Sequence, residues 1–143
     1  MSGIIGIWNL DGRPVEEAAL TGMSATLAHR GPDGERVWTQ GPMVLACWLL
    51  RVTPEAATET QPLVHASGTV LVFDGRLDNR EELLASLTAS PGISPESPDP
   101  ALVLAAYEAF GERFPERLNG DFALGLFDPS RRRLLLARDA IGV

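Results

Sequence analysis

The sequence predicts an α+β fold in which strands pair antiparallel and helices lie in separate groups. Three observations carry that expectation. Short apolar, β-branched runs come as neighbours joined by turn residues, and helix-period stretches are grouped between them. Neither GxxxxGK[ST] nor GxGxxG, the phosphate loops of doubly wound parallel sheets, occurs in the chain.

Residues 3–9 (Gly-Ile-Ile-Gly-Ile-Trp-Asn) read as a buried strand. Asp11-Gly12-Arg13-Pro14 is turn chemistry. Val15, Ala19, Met23 and Leu27 then recur every four positions and predict an amphipathic helix over 15–28. His29-Arg30-Gly31-Pro32-Asp33-Gly34 stops it with two glycines and a proline. Strands follow at 36–40 and 43–52, joined by Gly41-Pro42, with a polar loop over 53–60. Residues 69–74 form another apolar strand, closed by Gly75.

Asp78, with Glu81 three residues later, opens a helix to about residue 89 whose core face is Leu83, Leu84 and Leu87. Residues 90–98 hold three prolines and read as a loop. A helix over 100–110 has Asp99 as N-cap, Pro100 at its first position and Gly111 as its stop. Strands at 122–127 and 134–138 make a hairpin around 128–133.

The chain has 143 residues, a length that suits one domain. Its 12 Lys+Arg against 19 Asp+Glu leave a net charge of −7, which argues against nucleic acid as a partner. No apolar run approaches the roughly 20 residues of a membrane helix, and no basic segment leads into an apolar one at the N-terminus, as a signal peptide requires. A cytoplasmic location is the expectation. Cys47 is the only cysteine and sits among Leu45, Ala46, Trp48 and Leu49, as a small buried hydrophobe would. His29 and His65 have no Cys or carboxylate at ligand spacing, so no metal site is expected.

Six collinear stretches say more together than any one alone. They are Met1-Ser2-Gly3-Ile4-Ile5-Gly6-Ile7-Trp8, His29-Arg30-Gly31-Pro32-Asp33-Gly34, Gln61-Pro62, Asp74-Gly75-Arg76-Leu77-Asp78-Asn79, Leu118-Asn119-Gly120-Asp121-Phe122-Ala123 and Ala137-Arg138-Asp139. In this order the chain resembles the N-terminal class II glutamine amidotransferase domain of asparagine synthetase B-like proteins. The resemblance implies an N-terminal-nucleophile (Ntn) hydrolase fold, a four-layer αββα sandwich with two antiparallel sheets. It also implies a mechanism: the initiator Met is removed, residue two attacks the side-chain amide of L-glutamine, and its own α-amine serves as base. An α-amine of pKa about 7.7–8.0 is suited to that role. Ammonia would pass to a synthetase domain of the same protein, which alone would need ATP and Mg; no cofactor is implied for these residues.

Four positions of the implied site need separate readings. The nucleophile position holds Ser2 where the family has cysteine, and a hydroxyl leans harder on its base than a thiol does. Counting back from Gln61-Pro62, the position of the glutamine-carboxylate arginine falls at Leu49. Arg51, two residues on and so on the same strand face, is either its substitute or an ordinary strand-edge charge. Asp74 stands where the family has the oxyanion-hole asparagine, before Gly75; an ionised carboxylate has no proton to donate. Its other reading is a turn residue ending a strand. Asp99 matches the acid that receives the substrate α-amine and is also the helix N-cap read above.

By the same resemblance Ser2, Asp74 and Gly75 are the catalytic candidates, and Arg51, Val52, Arg76 and Asp99 the substrate-binding ones. Changed together, Ser2, Leu49 and Asp74 suggest a domain that keeps its fold with weakened glutaminase chemistry, as in lasso-peptide cyclases and β-lactam synthetases. A non-catalytic scaffold or dimerisation domain is the rival reading. The family pattern continues past Val143, so the chain is expected to be most of the domain, with an exposed strand edge near its end that favours a homodimer.

Overall fold

A computed structural model describes residues 2–51, 54–88 and 90–142. Along the chain run β1 (Gly3–Trp8), α1 (Glu17–Leu27), β2 (Glu35–Gln40), β3 (Met43–Trp48), β4 (Leu63–Val64) and β5 (Val70–Leu77). After them come α2 (Arg80–Ser86), α3 (Asp99–Phe110), β6 (Gly120–Asp128) and β7 (Arg133–Arg138), with 3₁₀ turns at Ala28–Arg30, Glu55–Thr58 and Gly111–Arg117. The strands form a sheet of order β1-β3-β2 and a second of order β4-β5-β6-β7, and all their pairings are antiparallel.

The period-two alternation of β3 and β5 explains how the layers stack. Met43, Leu45, Cys47 and Leu49 point one way and meet Val70, Val72 and Phe127 of the other sheet, so this cluster lies between the sheets. Ala46 and Trp48 point the other way and, with Ile5, pack under Leu20 and Leu27 of α1. Leu71 and Phe73 of β5 face Leu83, Leu102, Val103, Ala106 and Phe114, which lie in or beside α2 and α3. The order of layers is therefore α1, sheet, sheet, α2 with α3: the αββα sandwich. β3 is covered on both faces, which is why all six of its residues are buried and its sequence reads as an unbroken apolar run.

Several local expectations change. No residue of α1 is buried, and Met23 is exposed; of the Val15–Ala19–Met23–Leu27 stripe only Leu27 packs against the sheet, joined by Leu20. α2 begins at Arg80 after Asn79, and Asp78 is not its cap, because its carboxylate takes a hydrogen bond from Arg76 Nε at 2.9 Å. α3 has Pro98 in the cap position, and Asp99 is its first residue. β5 runs on through Gly75 to Leu77 instead of closing at Asp74. Gly111 does end α3, at φ 61°, but a 3₁₀ turn follows it directly.

Candidate active site

The antiparallel register of β1 on β3 opposes Gly3 to Trp48, which brings Ser2 beside the residues that leave β3. There Ser2 Oγ accepts a hydrogen bond from the Leu50 N–H at 3.0 Å. From the other sheet, β5 presents Asp74 on the same inter-sheet side as Val70 and Val72, with its carboxylate accepting the backbone N–H of Ser2. Both residues are only 7% exposed. Burial pushes the Asp74 carboxyl above its ordinary range, and the Ser2 N–H and the positive charge of Arg30 offset this only in part. Asp74 is thus an interior carboxylate inside a strand, not a turn residue at the strand's end.

Gly75 follows at φ +143°, where a Cβ would lie 2.1 Å from the Asp121 carbonyl oxygen of β6. Only glycine permits this approach of the two strands. The conformation lets β5 pass from a residue turned inward, Asp74, to an exposed bend without leaving the ladder.

Leu49, which the count from Gln61-Pro62 places at the carboxylate-binding position, is buried among the inter-sheet hydrophobes. Arg51 does not share its strand face, since β3 ends at Trp48. The loop over residues 29–34 sets its position instead. Asp33 N–H donates to the Leu49 carbonyl and Leu49 N–H to the Gly34 carbonyl, stitching the loop along the departing strand. Asp33 Oδ2 then accepts the Arg51 N–H at 2.7 Å. The guanidinium spends one Nη on the Asp33 carbonyl and the other on the Glu59 carbonyl, at 3.1 and 3.0 Å. Its Nε is buried and makes no hydrogen bond among the described residues. Both Nη atoms of the guanidinium are thus tied to backbone carbonyls, and Nε is the nitrogen left over. Val52 lies outside the described residues.

Residue-by-residue reading missed two further groups. Glu59 is half-buried, its carboxyl raised by burial, with Gln61 donation and Arg51 pulling it down and Asp99 and Asp74 pushing it up. Gln61, 1% exposed, brackets Phe73 of β5: Nε2 donates to the Phe73 carbonyl at 2.7 Å while Oε1 accepts the Phe73 N–H at 2.5 Å. Gln61-Pro62 stands among the stretches that carry the family resemblance, but nothing in the sequence hinted at this use.

Asp99 is not a helix cap. Oδ2 accepts the Leu77 N–H at 2.8 Å, and Oδ1 pairs with Arg80, which also donates to the carbonyls of Pro95 and Ser97. Asp99 therefore ties α3 to the end of β5, and an incoming ammonium would have to share it with Arg80. Arg76 is exposed and pairs with Asp78 and Asp121 on the surface. Among the described residues no group of three or more His, Cys, Asp or Glu could hold a metal, and no helix is long and apolar enough to cross a membrane.

The geometry brings Ser2, Asp74 and Arg51 to one end of the sandwich, with Gly75, Glu59 and Asp99 adjoining them. Two antiparallel sheets packed between helical layers are the fold of the N-terminal-nucleophile class of amidotransferase domain. The chain belongs to the glutamine amidotransferase domain family, whose model matches residues 1–143. It is 30% identical over 145 residues to asparagine synthetase [glutamine-hydrolyzing] 2 of Oryza sativa subsp. japonica, covering 100% of this chain and 24% of that protein. It is 33% identical over 146 residues to asparagine synthetase [glutamine-hydrolyzing] of Sandersonia aurantiaca, covering 27% of it. Among solved structures, glutamine phosphoribosylpyrophosphate amidotransferase from B. subtilis superposes with a TM-score of 0.74 at 17% identity, over 99% of this chain and 38% of that one. The chain thus spans about a quarter of the length of these asparagine synthetases.

Proposed function

We propose that this chain is the glutaminase-type domain of an asparagine-synthetase-like amide ligase, and that its own hydrolysis of L-glutamine is slow. Ser2 attacks the side-chain amide carbonyl, passing its proton to the α-amine that removal of Met1 exposes. The Gly75 N–H faces the developing oxyanion, Arg51 Nε takes the substrate carboxylate and Asp99 its α-amine. Ammonia goes to the synthetase domain, where ATP and Mg act; these residues need no cofactor. The working place is the cytoplasm.

The observation that carries the reading is the convergence of Ser2 and Asp74, from opposite sheets, in one buried place, with Gly75 exposed beside it. The carboxylate there is also what slows the step. An amide donor would stabilise the oxyanion, and loss of one such donor costs roughly 10²–10³ in rate; a carboxylate adds repulsion.

A second reading, favoured by Leu49 and Asp74 occupying binding and donor positions, is a non-catalytic scaffold or dimerisation domain of a lasso-cyclase- or β-lactam-synthetase-like ligase. Ammonia release from glutamine separates them. The chain with Ser2 exposed is expected to turn over at least about 10²-fold more slowly than Ser2→Cys/Asp74→Asn. Equal rates would sink the slow-hydrolysis reading, and silence in both would establish the scaffold.

A further inference from the structure

Among the described residues β7 has a neighbour on one side only, because it ends the order β4-β5-β6-β7. Its pairing with β6 decides which backbone groups face outward. Asp139 N–H donates to the Phe122 carbonyl at 2.9 Å, in the same register that opposes Ala123 to Arg138. Backbone groups alternate in direction along an antiparallel strand, so Arg133, Leu135 and Ala137 bond to β6. Leu134, Leu136 and Arg138 therefore aim their N–H and C=O away from the sheet. The side chains follow the same parity. Leu135 and Ala137 pack on the helical side, and Leu134 on the side of the other sheet. Leu136 shares the face of Leu134 and yet is 75% exposed, since the three-stranded sheet does not reach over it.

We propose that two copies of this chain pair through β7, antiparallel about a twofold axis at Leu136, which joins their four-stranded sheets into one.

The strand's own sequence selects a second copy as the occupant. Strand edges are guarded against pairing by proline, a bulge or charge, and Leu134 to Ala137 carry none of these. Outward-bonding residues must meet outward-bonding residues, so the permitted registers differ by steps of two. Centred on Leu136, that residue meets Leu136 of the second copy, Leu134 meets Arg138, Leu135 meets Ala137 and Arg133 meets Asp139. The two uncovered leucines then lie side by side, about 5.5 Å apart at Cα, and the charges at the ends of the pair are opposite in sign. Arg133 keeps its pair with Glu112, so the register asks there for compatible charge and no new bond. A slip of two residues one way sets Arg132 against Arg138, and like charges directly opposed disfavour pairing. The slip the other way sets Leu136 against Arg138 and separates the leucines. A patch that is complementary to itself in one register is what a closed twofold dimer requires. The contact is small, below the about 1,200 Å² of stable complexes, so the dimer is weak and depends on concentration.

This pairing is independent of glutamine hydrolysis. It gives a dimerisation role its surface, and its failure leaves the glutaminase reading untouched. Sedimentation velocity of the chain from about 10 µM to about 1 mM tests it. The average mass is expected to rise from one copy toward two. Leu136→Lys puts like charges on the axis and is expected to weaken association at least about tenfold, with an unchanged circular dichroism spectrum; Leu136→Glu should do the same. Mixed in equal amounts, the two variants should associate again. Leu136→Cys should form a disulfide with its own copy, since that Cα spacing suits one and the native Cys47 is buried. A wild-type chain that keeps the mass of one copy at about 1 mM overturns the proposal and leaves β7 to a strand of another polypeptide. Association that Leu136→Lys leaves in place, or that the mixture of charged variants does not restore, overturns it as well. If either charged variant does not fold, the Leu136→Cys disulfide decides.

Discussion

Tyr107, the only tyrosine, shows how one buried polar group is accommodated. Its hydroxyl donates to Asp128 Oδ2 at 2.6 Å, and Asp128 Oδ1 accepts from Ser130 Oγ and the Arg131 N–H. Burial first, then the Asp128 bond and charge, push the phenol up to about 12. Burial alone would raise Asp128 too, but the hydrogen bonds it accepts outweigh that and leave it below its ordinary value. The two shifts act at opposite ends of the pH scale. Tyr107 contributes stability that is complete below about pH 10 and fades as pH rises toward its folded value of about 12. Asp128 contributes stability present above its ordinary 3.8 and lost as pH falls through its lowered folded value. Tyrosinate absorbance is therefore expected to appear about two units late. Asp128→Asn should bring that titration down toward 10. A wild-type midpoint near 10 would show that the hydroxyl is not held as described.

Among the elements, β5 concentrates both the architecture and the chemistry. Its partner β4 is two residues long, pairing Leu63 with Leu71 and Val64 with Val70. Continued by the same register, the next outward-bonding position on β5 is Phe73, opposite Gln61. There the backbone of the partner has turned away, and the Gln61 side-chain amide makes both ladder bonds instead. Gln61→Ala would leave the N–H and C=O of Phe73 without partners in a buried place, an expected loss of about 2–4 kcal/mol in chemical denaturation. A loss under about 0.5 kcal/mol would mean that β5 finds other partners at this point.

The limits of sequence reading follow the same line. The central strands were legible as short unbroken apolar runs, because β3 is buried throughout and β5 from Val70 to Asp74. What was not legible depended on contacts between distant segments. Asp99 reads as a cap from its neighbours, yet its oxygens go to Leu77 and Arg80. The side α1 turns to Ile5, Ala46 and Trp48 carries Leu20 and Leu27, so only one member of its own stripe reaches the sheet. Arg51 reads as a strand residue but is set by Asp33, eighteen positions earlier.

At the scale of the whole molecule, the sandwich is closed over its middle. Cys47 lies between the sheets at 0% exposure, and its thiol, at about 12, carries almost no thiolate at neutral pH. A thiol reagent is therefore expected to modify the native chain negligibly. Labelling should rise with denaturant along the same curve as the tryptophan signal, since Trp8 and Trp38 pack against Phe127 in the same layer. Labelling well before the tryptophan transition would show that the two sheets part without global unfolding.

The amide of Gln61 also governs which way this sheet can grow. A sheet recruits strands wherever a row of N–H and C=O groups is left unanswered. Beyond β4 that row is already answered at Phe73 by a side chain from within the chain, so an approaching strand finds nothing there to copy. The opposite border, β7, offers its groups from Arg133 to Arg138, with Leu136 75% exposed beside them. The two margins of the sheet thus differ: one is answered at Phe73 by a single glutamine side chain, and the other presents a whole strand, β7.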